Sequence, residues 1–242
     1  IENIFFDITA FTNLTHDHLD YHETMDEYFS EKLKLFNLNK DNGSSVVMID
    51  DEYGKRIAEL NSNVKCISLK NEDADYFCTS HSINSFGLAG TLAWDSETLD
   101  FESKLIGSFN LENLTLAASI AIELNISAQS IAKGIENCTN IDGRLHLVEN
   151  QKNQMIFLDY AHSPDAYFRT LKALEENFSC PLKVLFGAGG GRDKSKRPKM
   201  AEVVEKYSIE CYLAPDNPRF EDIELINNDI IKGFSNESHH IF

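Results

Sequence analysis

The stretch MIFLDYAHSPDAYFRTLKALEENFSCPLKVLFGAGGGRDKSKRPKMAEVVEKYSIECYLAPDNPR, residues 155–219, sets the fold class. It opens with a strand pattern, MIFLDYA, followed by a helix start marked three ways. Ser163 offers a capping hydroxyl, Pro164 takes the first helical position and Asp165 places an acid in the first turn. A second strand, KVLFGAG, leads into a helix from near Arg197 to Tyr207, and a third, IECYLAP, leads into FEDIELINNDIIKGF. Three strand–helix units in succession predict a parallel, doubly wound α/β sheet. Such sheets bind ligands in the crevice beyond the carboxyl ends of their strands. DYAH, GAGGGRDKSKR and PDNPR occupy those ends, so three polar loops should converge on one edge.

Upstream the rhythm differs. SVVMID, VKCISL, DYFCTSHSI, FGLAGTLAW and ETLDFESKL are short β-rich runs separated by turn residues, which predicts hairpins at one edge of a mixed sheet. FNLENLTLAASIAIEL and SAQSIAKGIEN carry apolar residues at helical spacing and should cover that sheet. No internal repeat or low-complexity segment interrupts the chain.

Composition narrows the classes of function. With 242 residues and 42% hydrophobic content the chain can bury a sizeable core. A formal net charge of −17 argues against a nucleic-acid or anionic-membrane surface, which needs a positive field, so any phosphate site must be local. No run of about 18 apolar residues occurs and IENIFFDIT lacks signal-peptide features, which makes a cytoplasmic protein the expectation. Five scattered cysteines, never in CxxC spacing, are expected to be buried, reduced thiols. Residue 1 is Ile rather than Met and the chain stops at HHIF, so both ends are expected to be cuts through a longer protein.

Three clusters carry possible chemistry. THDHLDYH (Thr15 to His22) packs three histidines and two aspartates together, and imidazole with carboxylate suits Zn, Mn or Mg. Its HxHxDxH pattern is one position off the HxHxDH of two-metal hydrolases; the alternatives are such a hydrolase or a satisfied polar loop. Next, TMDEYFSEKLKLF has Thr24 as N-cap and Glu27 completing a capping box, with Met25, Phe29, Leu33 and Phe36 forming an apolar stripe. Lys32 lies beside that stripe and is by itself an ordinary helix lysine. Finally, GAGGGRDKSKRP is neither a dinucleotide fingerprint, which needs glycine where Arg192 stands, nor a Walker loop, which needs glycine where Asp193 stands. It remains a glycine run followed by Arg192, Lys194, Lys196 and Arg197, in which Arg192 could grip a carboxylate or phosphate through paired hydrogen bonds.

Taken together and in order, FTNLTHDHLDYHETMDEYFSEKLKLF, GSFNLENLTLAAS, DGRL, LDYAHSPDA, FGAGGGRDKSKRPKM and DNPR resemble the Mur ligase family, in its branch that adds the third stem-peptide residue of bacterial cell wall. The resemblance implies a partial central domain over residues 1–147, a mixed sheet with helices, and a partial Rossmann-like C-terminal domain over residues 148–242. It implies ATP and Mg²⁺, UDP-N-acetylmuramoyl-L-alanyl-D-glutamate and meso-diaminopimelate as partners, an acyl-phosphate intermediate and a monomer. By position, Lys32 matches the lysine that becomes N-carboxylated and His18 a histidine that ligates metal. Asn113, Arg144, Asp159 and His162 match ATP-touching positions, and Arg192 with Asp216, Asn217, Pro218 and Arg219 match the amino-acid pocket. The arginine of DNPR implies diaminopimelate rather than lysine, since it can pair with a distal carboxylate.

Some features depart from the family pattern. Its GTxGKT phosphate loop would lie before Ile1 and its GKGHE segment after Phe242, so this chain alone is expected to show little ligase activity. Gly191 stands where Asp is common and His146 where Glu is common. Another ligase of the superfamily, such as a folylpolyglutamate synthase, is the alternative within the family; DNPR and DYAHSPDA disfavour it.

Overall fold

The computed structural model describes residues 4–15, 22–152, 154–235 and 240–241. A six-stranded sheet runs in sequence order: β1 (Phe6–Phe11), β2 (Asn39–Met48), β3 (Lys65–Ser68), β4 (Tyr76–Asn84), β5 (Gly87–Trp94) and β6 (Glu97–Ser103). The first four are parallel and the last three form an antiparallel meander, the expected hairpin edge. Side chains alternate across the sheet with the strand period of two. Val46 and Met48 enter one apolar cluster, with Leu92 and Phe101, while Val47 enters another. The first cluster is capped by α3 (Ser108–Glu123) and α4 (Ala128–Asn137), the second by α1 (Met25–Leu33) and α2 (Glu52–Leu60).

The α1 start follows the capping signal with one shift. Thr24 Oγ1 accepts from Glu27 N at 3.1 Å, while the Glu27 carboxylate reaches past the cap to Glu23 N at 2.8 Å. The predicted stripe of Met25, Phe29, Leu33 and Phe36 packs as one face into the second cluster.

The second half contains α5 (Pro164–Asn177), β9 (Lys183–Phe186), α6 (Lys196–Tyr207), β10 (Glu210–Leu213), α7 (Ile223–Ile231) and β11 (His240–Ile241). Its parallel sheet has the order β11-β10-β9. Val184, Phe186, Cys211 and Leu213 meet all three helices in one cluster with Met200, Val204, Ile226 and Ile230. The opposite face carries the Lys183–Glu210 ion pair at 2.7 Å and the exposed Leu185.

One expected element is placed differently. MIFLDYA does not join the parallel sheet; only Phe157–Leu158 (β8) is strand, paired antiparallel with His146–Leu147 (β7). The backbone of this segment is committed to the DGRL segment instead. Val148 N donates to Ile156 O and Tyr160 N to Gly143 O, both at 2.8 Å, and Leu145 N donates to Asp159 Oδ2 at 2.9 Å. Gly143 is required there: its φ is +69° and a Cβ would lie 2.2 Å from the Tyr160 ring. The thiols also differ from expectation. All five cysteines are unpaired, but only Cys78 and Cys211 are buried, and Cys180 is exposed because it lies in the loop after α5.

Replacing Gly143 with Ala is expected to destabilise the chain by about 1–3 kcal/mol, through backbone strain and displacement of the Tyr160 ring. Urea denaturation of the two forms measures it, and coincident curves would contradict the junction described.

Candidate active site

The carboxyl ends of β9 and β10 open into a cleft of about 520 Å³, and the loop after β8 closes one side of it. Asp159, Tyr160, Ala161 and His162 line it from the first loop, Gly187–Gly189 and Arg192 from the second, and Asp216 and Arg219 from the third. The convergence expected from topology therefore holds, although the first loop arrives from a two-stranded ribbon rather than from the sheet.

Two of these loops are in backbone contact. Gly190 N donates to Asn217 O at 2.9 Å, and a Cβ on Gly190 would fall 1.9 Å from Pro218 O, so glycine is the residue that fits. Arg219, held at φ +53°, turns its guanidinium onto the glycine run, where Nη1 donates to Gly190 O at 2.6 Å. Asn217 Oδ1 accepts from Arg219 N at 3.2 Å and stabilises that turn. Asp159 is a hub of the first loop: Oδ2 accepts from Leu145 N, and Oδ1 accepts from Ala161 N at 2.8 Å and from Thr170 Oγ1 at 3.3 Å. His162 Nδ1 contacts Tyr160 O at 2.9 Å and the ring is exposed at the rim. Tyr167 forms part of the floor; burial, with Asp216 and Asp159 nearby, pushes its phenol up and keeps it neutral.

The cationic run after the glycines divides into two roles. Arg197 is 1% exposed and spends its charge inside the protein. Its Nη1 and Nη2 donate to the two Glu221 oxygens at 2.8 Å each, Nη1 also reaches Asp229 Oδ2 at 3.0 Å, and Nη2 reaches Gly189 O at 3.3 Å. Glu221 further pairs with Lys194 at 2.7 Å and accepts from Gly191 N at 3.0 Å. The Arg197 guanidinium, with Lys194 and the Gly191 N–H adding, holds the Glu221 carboxyl far below the usual carboxylate range. Lys194 and Arg197 thus brace the loop, while Arg192 and the buried Lys196 line the cleft. Sequence reasoning had grouped all four cations and missed Glu221; its spacing from DNPR gave no sign of a partner 24 residues away.

The remaining candidates lie elsewhere. Asn113 is exposed on α3. Arg144 lines a separate cavity of about 1080 Å³ with Asn110, Leu145 and Phe157 rather than the cleft. Lys32 is exposed on α1 with its Nζ 5.2 Å above the Tyr28 ring, and His22 stacks on that ring at 4.8 Å. His18, with most of the histidine-rich segment, lies outside the described residues. Among the described residues no group of three or more His, Cys, Asp or Glu side chains is placed to hold a metal ion. As a carbamate, Lys32 would offer the oxygen donors that Mg²⁺ takes.

Two family models account for nearly the whole chain: the Mur ligase middle domain over residues 1–121 and the Mur ligase, glutamate ligase domain over residues 143–242. The chain belongs to the Mur ligase family. Among Mur ligases, it is 37% identical over 245 aligned residues to the UDP-N-acetylmuramoyl-L-alanyl-D-glutamate–2,6-diaminopimelate ligase of Fusobacterium nucleatum, covering 100% of this chain and 50% of the relative. The enzyme of that name from Nostoc sp. is 35% identical, with 94% of this chain and 47% of the relative covered. A solved structure of a ligase of that name superposes with TM-score 0.61 at 30% identity, over 97% of this chain and 49% of that one. The folylpolyglutamate synthase of Mycobacterium tuberculosis complexed with ADP superposes with TM-score 0.79 at 16% identity, covering 97% and 52%, which is a likeness of fold. The chain spans about half the length of the curated relatives it matches. Membership in the Mur ligases displaces the two-metal hydrolase reading of the histidine-rich segment.

Arg197→Met is expected to destabilise the fold by about 1–3 kcal/mol, because it removes the donor shared by Glu221, Asp229 and Gly189 O while Lys194 and Lys232 stay paired with the carboxylates. The same network sets an acid dependence. Glu221 titrates lower folded than unfolded, so stability present above about pH 4.3 is lost progressively as pH falls below it, where the unfolded chain binds the proton first. Thermal melts of Glu221→Gln across pH 3–7 should show a lower Tm at neutral pH and a flatter acid limb; an unchanged acid limb would place the proton uptake elsewhere.

Proposed function

We propose that this chain is the central and C-terminal part of an ATP-dependent ligase that joins meso-diaminopimelate to UDP-N-acetylmuramoyl-L-alanyl-D-glutamate. The observation that carries the reading is the cleft itself: Arg192, Asp216 and Arg219 meet the Asp159–His162 loop at one sheet edge in a chain whose 35–38% identical relatives bear that name. Two units are assigned, residues 1–147 around the six-stranded sheet and residues 148–242 around the three-stranded one.

The chemistry joins two anions and then an amine. The substrate's D-glutamyl carboxylate attacks the γ-phosphorus of ATP and ADP leaves; the amine of the incoming amino acid attacks the acyl phosphate, and phosphate departs as the nitrogen loses a proton. Each step builds negative charge on oxygen, so fixed cations and N–H donors contribute most. Asn113, Arg144, Asp159 and His162 are assigned to ATP, with Asp159 retaining lone pairs beyond its internal hydrogen bonds. Lys32, as a carbamate, and His18 are assigned to Mg²⁺, which when bound neutralises phosphate charge.

Arg192 and the Asp216, Asn217, Pro218 and Arg219 set are assigned to the amino acid. Arg219 spends one nitrogen on Gly190 O, and the rest of its planar fork suits the distal carboxylate of diaminopimelate. Lysine presents an ammonium at that position, so it would meet like charge and leave the guanidinium unpaired.

In the full-length protein, supplied with ATP and the UDP-linked dipeptide, diaminopimelate is expected to be preferred over L-lysine by about 30- to several-thousand-fold in kcat/KM. Arg219→Ala should erase most of that preference; equal rates with the two amino acids in the unaltered enzyme would overturn the assignment. Lys32→Arg keeps the charge but forms no carbamate, and should lower kcat by about a hundredfold or more with KM for the amino acid little changed. Retention of full activity would remove Lys32 from the site.

A further inference from the structure

Arg169 on α5 connects the two family domains. Its Nη1 donates to Glu112 Oε2 on α3 at 3.3 Å, and its Nε donates to Asp165 Oδ2, one turn earlier on its own helix, at 2.9 Å. Glu112 falls within the residues matched by the middle domain, and Asp165 and Arg169 within those matched by the glutamate ligase domain. All three side chains are half-buried, where solvent and salt screen an ion pair less than at a free surface. Burial pushes the Glu112 carboxyl up and Asp50 adds to this, while Arg169 and Lys70 pull the other way. The guanidinium is therefore part of what keeps that carboxylate charged.

A second contact lies one turn along each helix. Phe109 on α3 and Ala173 on α5 share an apolar cluster with Ile106, Leu145 and Leu174. A Cβ on Gly107 would sit 3.1 Å from the Ala173 methyl, so the helices approach closely there. One apolar contact fixes a separation but permits rotation about it. The ion pair, three residues beyond Phe109 and four before Ala173, supplies the second fixed point. A planar fork can engage two carboxylates at once, which an ammonium on a flexible stem does poorly.

We propose that Arg169 is a positioning residue: its bridge to Glu112 fixes the rotation of α5 against α3. That rotation sets the gap between Asn113, which follows Glu112, and the Asp159–His162 loop, which immediately precedes α5. The inference rests on the assignment of those residues to ATP. It places no atom of Arg169 on the nucleotide.

The test uses the full-length enzyme and begins with calorimetric ATP binding by the unaltered protein. Absence of binding there would overturn the ATP assignment and this inference with it. Given binding, Arg169→Ala is expected to raise KM and Kd for ATP by about 3- to 30-fold. At saturating ATP, KM for the amino acid should stay unchanged, and Arg169→Lys should recover part of the loss. Glu112→Ala should produce the same shift, and the double variant no more than either single one, because both remove the same bridge. Unchanged ATP affinity with a lowered Tm would overturn this inference alone, as would a parallel rise in KM for every substrate.

Discussion

A guanidinium with 1% of its surface in water persists only if carboxylates meet it, and Arg197 is met by Glu221 and Asp229 from beyond the DNPR loop. Closing that network draws the loop after β10 over the loop after β9. Arg219 N, Asn217 and Pro218 then lie against the glycine run closely enough that Gly190 admits no side chain. The geometry of the cleft is a consequence of this closure. The buried guanidinium is held by two carboxylates at once, which is why the arrangement is stiff even though a buried ion pair adds little net stability over an apolar core. The Arg197 Nε atom has no hydrogen-bond partner, a residual cost the other four donor contacts outweigh.

The second constraint is the junction between the DGRL and DYAH segments. Tyr160 packs on Gly143, and the Asp159 carboxylate receives the Leu145 N–H, so the first polar loop of the cleft is anchored to the segment that leads out of the six-stranded unit. Anchoring has a structural cost: the residues around Phe157–Leu158 hydrogen-bond to the ribbon partner and not to β9. The loop still reaches the cleft because Ser163 caps α5, with its hydroxyl accepting from Ala166 N at 3.3 Å, and α5 packs on the same cluster as α6. The ligand-binding edge of the sheet is thus kept by helix packing where strand pairing is absent.

Local signals were legible wherever a short-range rule decides the outcome. The Thr24 and Ser163 caps, the Met25–Phe36 stripe and the β4–β6 meander depend on residues within a few positions of one another, and each forms as its pattern directs. The β8 segment was not legible this way. Alternating apolar residues specify a strand but not its neighbour, and the neighbour is chosen by hydrogen bonds to residues 8 to 17 positions away.

The sequence by itself determined the family, the two-unit order and the identity of the polar loops, because ordered motifs and helix or strand periods are local properties of the chain. Only the tertiary structure decided which cations brace the loops and which line the cleft. Arg192, Lys194, Lys196 and Arg197 are equivalent as a run of charges, yet Arg197 and Lys194 are taken by Glu221 while Arg192 and Lys196 line the cleft. That partition rests on desolvation and on contacts across 24 and 32 residues, which no local pattern encodes.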